Sequence, residues 1–385
     1  MIDGSNDAEI QTLSALLADL YKIDAVYRRG NRMNLSLTCR HNPEISLSLI
    51  TDRLKSAGYS FDLVTDAPQL AVGPLVDGSP GPPLNLSQAV LDIDPVPHLR
   101  IPPLNIILFA LTLLSVYLVP VLNRNGYDIG HTLSDLARGG GLEFTAALMS
   151  ILFVHEMGHF IAARRRNVIT SYPYFIPAPP FISIFGTFGA LIKVKSPFWN
   201  RRDLLEMGAA GPIAGWVFAI AWLIYGLSHS SLVSIPTEPT REMLFSLDGE
   251  SIIMRLATLN IIGAALPGQL YQLSEAAFAG WVGLLVTAIN MLPMGQLDGG
   301  HVLYGLSPKY QPIMGRLVLI GLAFLGYFSL VWWLFAGLGL IFGVKHPPTI
   351  HNYKSPSRPS VAMGWAALMI LFLSFTPIPF PSPFH

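Results

Sequence analysis

His155, Glu156 and His159 stand together as HEMGH inside an apolar run, LMSILFVHEMGHFIAA from Leu148 to Ala163. Ionisable groups are costly to bury in a bilayer-length segment, which makes them functional candidates. Positions four apart share one face of a helix, so both imidazoles reach a single metal ion. Two ring nitrogens at that spacing suit zinc, and Glu156 can reach a water held at the ion. A zinc site needs a third protein ligand and keeps its fourth position for water. The one cysteine, Cys39, lies far from the apolar runs. Asp298, in NMLPMGQLDGG from Asn290 to Gly300, follows another apolar run at the same expected depth. Pro293 and the Gly299–Gly300 pair break the helix there and let the carboxylate turn inward. A helix cap is the alternative role for Asp298. His301 is either a fourth ligand or an interfacial residue. His131, His229, His346 and His351 have no partner spacing and are expected to be solvated.

The elements that must position these groups are mostly apolar. Hydrophobic residues make up 51% of the 385-residue chain and charged residues 12%, about half the usual charged share of a soluble domain. That composition describes an integral membrane protein carrying some soluble mass. Lys+Arg and Asp+Glu are both 24, a balance that argues against a nucleic-acid partner. A single cysteine excludes an intrachain disulfide. The polar, mixed start shows no secretory signal, so it is expected to stay on the side of synthesis.

The expected fold is mainly α: a polytopic membrane helix bundle of six to seven spans, with a membrane-associated β-hairpin and a small N-terminal α/β soluble domain. Residues 1–78 are read as the accessory domain, with helices over Ala8–Tyr21 and Pro43–Ala57 and strands over Met33–Cys39 and Tyr59–Val64. Residues 79–102 are a Pro/Gly-rich linker, 103–346 the membrane-embedded core, and 347–385 a C-terminal loop and last span. Spans are expected at Pro103–Leu122, Phe144–Ala163, Met207–Ser228, Ala276–Leu292 and Val361–Pro377. The run Leu317–Val344 is too long for one untilted span and is either two short spans or one tilted helix. Between spans, Arg164, Arg165, Arg166, Lys193, Lys195, Arg201, Arg202, Lys309, Arg316, Lys345, Lys354 and Arg358 fall on one side, against Arg124, Arg138, Arg241 and Arg255 on the other. The positive-inside rule then makes the N-terminus and the Arg164–Arg166 end cytoplasmic, in a multi-pass protein of a bacterial inner membrane. Tyr172–Lys195 is rich in proline and then strand-forming. Apolar, non-helical backbone near a bilayer needs protein or a wet cavity to satisfy it, so this stretch is expected to dip in beside HEMGH. A cytoplasmic surface loop is the alternative.

HEMGH, GTFGALIKVKSP from Gly186, AAGPIAG from Ala209 and NMLPMGQLDGG from Asn290 together resemble the site-2 proteases, membrane-embedded zinc metalloproteases, and most of all their bacterial and plastid subgroup. The resemblance covers roughly Pro103 to His346. It implies cleavage of transmembrane protein substrates near the cytoplasmic face, with one zinc ion bound by His155, His159 and Asp298 and with Glu156 as base. The chain departs from the family in having Asn290–Met291 where many members have Asn-Pro.

In that setting Asn290 is expected either to donate to the oxyanion or to bond between helices. Phe188, Gly189, Ala190, Leu191, Ile192, Lys193 and Val194 are expected to dock substrate as an added strand. Gly208, Gly211 and Gly215 are expected to pack the third span closely on the HEMGH helix. The rival function is a membrane zinc transporter or sensor using the same ligands, which gives Glu156 no special task. Oligomeric state is not legible from the chain.

Overall fold

A computed structural model describes residues 5–29, 32–40, 49–50, 53–54, 56–57, 59–64, 88–95, 101–166, 168, 170–179, 183–195, 198, 200–235, 244–247, 249–349 and 355–380. The chain divides into two compact units, Met1–Arg100 and Ile101–His385.

The first unit holds α1 (Ser5–Leu17), β1 (Tyr21–Arg29), β2 (Arg32–Cys39), β3 (Tyr59–Val64) and β4 (Gln88–Pro95). Its strands form one sheet in the order β1-β2-β4-β3, every pair antiparallel. Leu13 and Leu17, one turn apart on α1, are buried, as are the alternate residues Leu35 and Leu37 of β2. These are the two periodicities of an amphipathic helix and a one-face-buried strand. Residues 88–95, inside the stretch read as linker, form β4 instead: the Pro/Gly density ends at Pro83, and QAVLDID then has strand alternation. The helix expected over Pro43–Ala57 lies largely outside the described residues.

The second unit is helical. In chain order it contains α2 (Pro103–Arg124), α3 (Ile129–Ala137), α4 (Leu142–Arg165), β5 (Tyr174–Pro177), β6 (Thr187–Leu191), α5 (Arg201–Leu227), β7 (Ser231–Ser234), β8 (Leu244–Phe245), α6 (Ile252–Ile261), β9 (Gln269–Gln272), α7 (Glu275–Asn290), α8 (Asp298–Leu306), α9 (Gln311–Leu325), α10 (Val331–Phe342) and α11 (Arg358–Ser374). Among the described residues, α2, α4 and α5 are long and apolar enough to cross a membrane, while α6, α7, α9, α10 and α11 are shorter apolar helices. The run Leu317–Val344 is resolved as α9 and α10, separated at residues 326–330. They form a hairpin, because Gln311 at the start of α9 donates through Nε2 to the carbonyl of Val344 just past α10, at 2.9 Å. Helix α3 and the small sheet β7-β9-β8 have no counterpart in the sequence expectations; both are short and carry little periodic signal.

Helix α5 is central and packs on α4, α7, α8 and α11. Leu148, Ile151 and Leu152 of α4, Ala219 and Leu223 of α5, and Trp281 and Leu285 of α7 form the main buried cluster. Polar ties mark the two ends of the bundle. At one end Glu275 accepts from Arg124 Nη1 at 2.9 Å and from the Gly141 amide at 3.1 Å. At the other, Arg166 pairs with Glu206, which also accepts from Ser360 Oγ at 2.6 Å. The C-terminus of α4 and the N-termini of α5 and α11 therefore share an end, as alternating antiparallel spans require.

The β5–β6 pair is antiparallel, with Tyr174 opposite Leu191 and Phe175 opposite Ala190. Helix α2 holds it: Asn105 Nδ2 donates to the carbonyl of Pro173 at 2.8 Å, and Ser115 Oγ to that of Ala178 at 2.6 Å. Phe175 is buried against Phe109, ring centroids 4.9 Å apart.

Candidate metal centre

Helix α4 carries His155, Glu156 and His159 on buried positions. Asp298 opens α8, after the turn at Met291–Leu297 that follows α7. That turn brings the distant carboxylate to the histidines. His155 Nε2 lies 3.3 Å from Asp298 Oδ2, His159 Nε2 lies 3.2 Å from the same oxygen, and the two Nε2 atoms are 3.2 Å apart. Bonds of about 2.0–2.1 Å to a tetrahedral zinc place ligand atoms about 3.3 Å apart. The triangle therefore has the edge length of a zinc site, and its donor set of two imidazoles and one carboxylate is one zinc accepts. Among the described residues these three form the group able to hold a metal ion.

The supporting contacts are equally specific. His159 Nδ1 donates to the Met207 carbonyl on α5 at 2.8 Å. That bond fixes the tautomer and leaves the Nε2 lone pair for a ligand role. A Cβ at Gly211 would fall on the His159 ring, so the imidazole lies against bare backbone there. A Cβ at Gly215 would come within 2.9 Å of His155 Nδ1, and one at Gly208 within 2.7 Å of His301 Cβ. Gly211 and Gly215 thus pack on the HEMGH helix as expected, while Gly208 faces α8. Gly299 is required for a different reason: a Cβ would collide with the Met291 carbonyl, so only glycine lets α8 begin against that turn.

A cavity of about 180 Å³ joins these groups, lined by His155, Glu156, His159, Asn290, Asp298 and His301 among others. Of the residues expected to dock substrate, Ala190, Leu191, Ile192 and Val194 also line it, whereas Phe188, Gly189 and Lys193 do not. Lys193 turns its carbonyl toward the Ser171 amide, at 2.9 Å. Ile192 lies between the end of β6 and the Thr170–Val194 bridge. Among the described residues, β5 is the strand partner of β6, on one edge.

A second histidine pair sits beside the first. His301 Nδ1 lies 2.7 Å from His346 Nε2, and His346 Nδ1 lies 2.5 Å from the Pro347 carbonyl. His346 is buried, not solvated as its loop position suggested. Burial pushes its ring down to about 4, against the pull of the Pro347 carbonyl. His131 and His229 are exposed, and His351 lies outside the described residues. His301 is not in the ligand group. The pairing of residues 45 positions apart left no spacing signal in the sequence.

Residues 143–330 match the model of peptidase family M50. The chain is 31% identical over 251 residues to "Probable zinc metalloprotease EGY1, chloroplastic" of Arabidopsis thaliana, covering 62% of this chain and 43% of that one. It is 30% identical over 275 residues to "Probable zinc metalloprotease EGY2, chloroplastic" of Oryza sativa subsp. indica, covering 68% of this chain and 47% of that one. The aligned region thus spans less than half the length of these relatives. No solved structure matches the chain.

Proposed function

The chain belongs to peptidase family M50, and from that membership we propose that it is an intramembrane zinc endopeptidase, hydrolysing peptide bonds in or near transmembrane segments of other membrane proteins. The observation that carries the proposal is the ligand triangle with Glu156 in the same cavity. A zinc ion held by His155 Nε2, His159 Nε2 and Asp298 Oδ2 would supply Lewis-acid polarisation of the scissile carbonyl and a more acidic water. Glu156 takes the proton of the attacking water on its carboxylate and hands it to the leaving amine. Asn290, at the end of α7, donates its side-chain amide to the carbonyl oxygen as charge grows there. A transmembrane helix hides its carbonyls in its own hydrogen bonds, so the substrate must unwind and find other partners for its backbone. The outward edge at Ala190–Ile192 supplies them by strand addition.

The proposed topology has seven crossings, by α2, α4, α5, α7, α9, α10 and α11. The N-terminus and the arginine-rich end lie on the cytoplasmic side, and cleavage occurs near that face. The proposed location is a bacterial inner membrane, although the relatives' names are chloroplastic. The partners are transmembrane substrates and the surrounding lipid.

The deciding experiment purifies wild type and Glu156→Gln, measures zinc, and assays both on a panel of single-span proteins. The expected result is one zinc per chain in both and cleavage by wild type alone. Equal zinc flux through both variants in proteoliposomes, with no cleavage by either, would establish transport instead.

A further inference from the structure

The His301–His346 pair is not used by the mechanism above, yet His301 lines the same cavity as Glu156. Its two nitrogens are 2.7 Å apart. That is too close for two ligands of one zinc, which sit about 3.3 Å apart, and it suits a hydrogen bond. The direction of that bond follows from its neighbour. A carbonyl only accepts, so His346 Nδ1 carries a proton and gives it to Pro347. In the neutral ring His346 Nε2 is then an acceptor, and His301 Nδ1 must donate to it. The neutral His301 ring, which lines the cavity, is left with a lone pair on Nε2.

The pair is held from several sides. The Tyr304 ring lies 4.7 Å from that of His346. The His346 amide donates to Gln311 Oε1 at 3.0 Å, and the fully buried Gln311 also binds the Val344 carbonyl. Val344 in turn accepts from the Gly295 amide at 2.9 Å, within the turn that delivers Asp298. With the three ligands and Glu156 set aside, the polar side chains lining the cavity are Asn290, Gln296 and His301. An unwound peptide brings N–H donors into this space, and a fixed ring lone pair is an acceptor for one of them.

We propose that His301 is a substrate-binding residue whose Nε2 accepts a hydrogen bond from a backbone N–H of the peptide in the catalytic cavity, and that His346 is the positioning residue that sets its tautomer. The proposal rests on the endopeptidase reading, so its test must read binding without turnover.

The full-length, zinc-loaded Glu156→Gln protein in detergent is the parent, and a fluorescent single-span peptide is the probe. His301→Leu is expected to weaken binding about ten- to a hundredfold. His301→Gln keeps a carbonyl acceptor and should regain most of it. His346→Leu should weaken binding less, and His346→Gln, which still accepts from His301 Nδ1, should stay near the parent. Nitrogen-15 spectra of histidine-labelled protein should show His301 protonated at Nδ1 and bare at Nε2, a signature that His346→Leu disturbs. Equal loss in His301→Leu and His301→Gln overturns the proposal, as does no loss in His301→Leu. So does loss of zinc from His301→Leu, or a proton on His301 Nε2 in the parent. If wild type binds the peptide but never cuts it, the endopeptidase reading fails while the binding result stands.

Discussion

Two histidine pairs meet at one cavity, which His155, His159 and His301 line and His346 backs from behind His301, and their gaps differ by half an ångström. His155 and His159 approach through Nε2 and Nε2 at 3.2 Å, with Asp298 completing the triangle. His301 and His346 approach through Nδ1 and Nε2 at 2.7 Å. The wider gap leaves room for a metal ion between lone pairs; the narrower one is closed by a proton. In both pairs a backbone carbonyl claims one ring's Nδ1–H, Met207 for His159 and Pro347 for His346, and what separates the two jobs is the nitrogen the other ring presents: Nε2 of His155, Nδ1 of His301.

The largest effect is expected where the wide pair loses its third corner. Asp298→Ala should empty the site of zinc and lower cleavage by roughly a thousandfold or more, whereas His301→Leu should keep its zinc. Metal analysis showing full zinc in Asp298→Ala would erase the distinction between the pairs. Next comes Gly211→Ala. A methyl there meets the His159 ring, and displacing a supported ligand typically costs about ten- to a hundredfold in metal affinity. Gly321→Ala on α9, where nothing lies within 4 Å of the added carbon, is the control and should titrate zinc like wild type.

A smaller loss is expected on the facing wall. Ile192→Pro removes an N–H just past the end of β6, where strand addition is proposed, while leaving both pairs intact, and should reduce kcat/KM about tenfold at unchanged zinc content. Full turnover by a folded, zinc-loaded Ile192→Pro protein would argue against strand addition. The smallest effect concerns acid. Burial pushes the His346 ring down from the ordinary histidine value to about 4 in the folded protein. The native state thus binds fewer protons in that window, so stability drops as pH falls from about 6.5 through about 4. His346→Gln should flatten part of this fall, by a few degrees in Tm, relative to wild type. Zinc release from the wide pair is common to both proteins and cancels in the comparison.

The first pair was legible because its signal is local: a one-turn spacing in an apolar helix. Asp298 was legible because glycines and a proline mark a helix break where a carboxylate has no ordinary business. The AAGPIAG stripe also announced a close helix contact, although Gly208, just before it, serves α8. The second pair was hidden. His346 sits in VKHPPT, whose lysine and prolines describe a loop, and hydropathy does not record that a loop is covered by Tyr304 and Gln311. Strand β4 was hidden by the prolines before it. The break at residues 326–330 left only a faint trace, since the run is apolar on both sides of it.

The ring of His159 rests on main chain at Gly211, with no side chain between the two helices to yield. A cushion of rotamers would absorb a small shift between the axes of α4 and α5; bare backbone hands it on undiminished. Any change that spreads the two helices should therefore loosen the ion well before either helix melts, and zinc retention becomes a ruler for how closely α4 and α5 stay together.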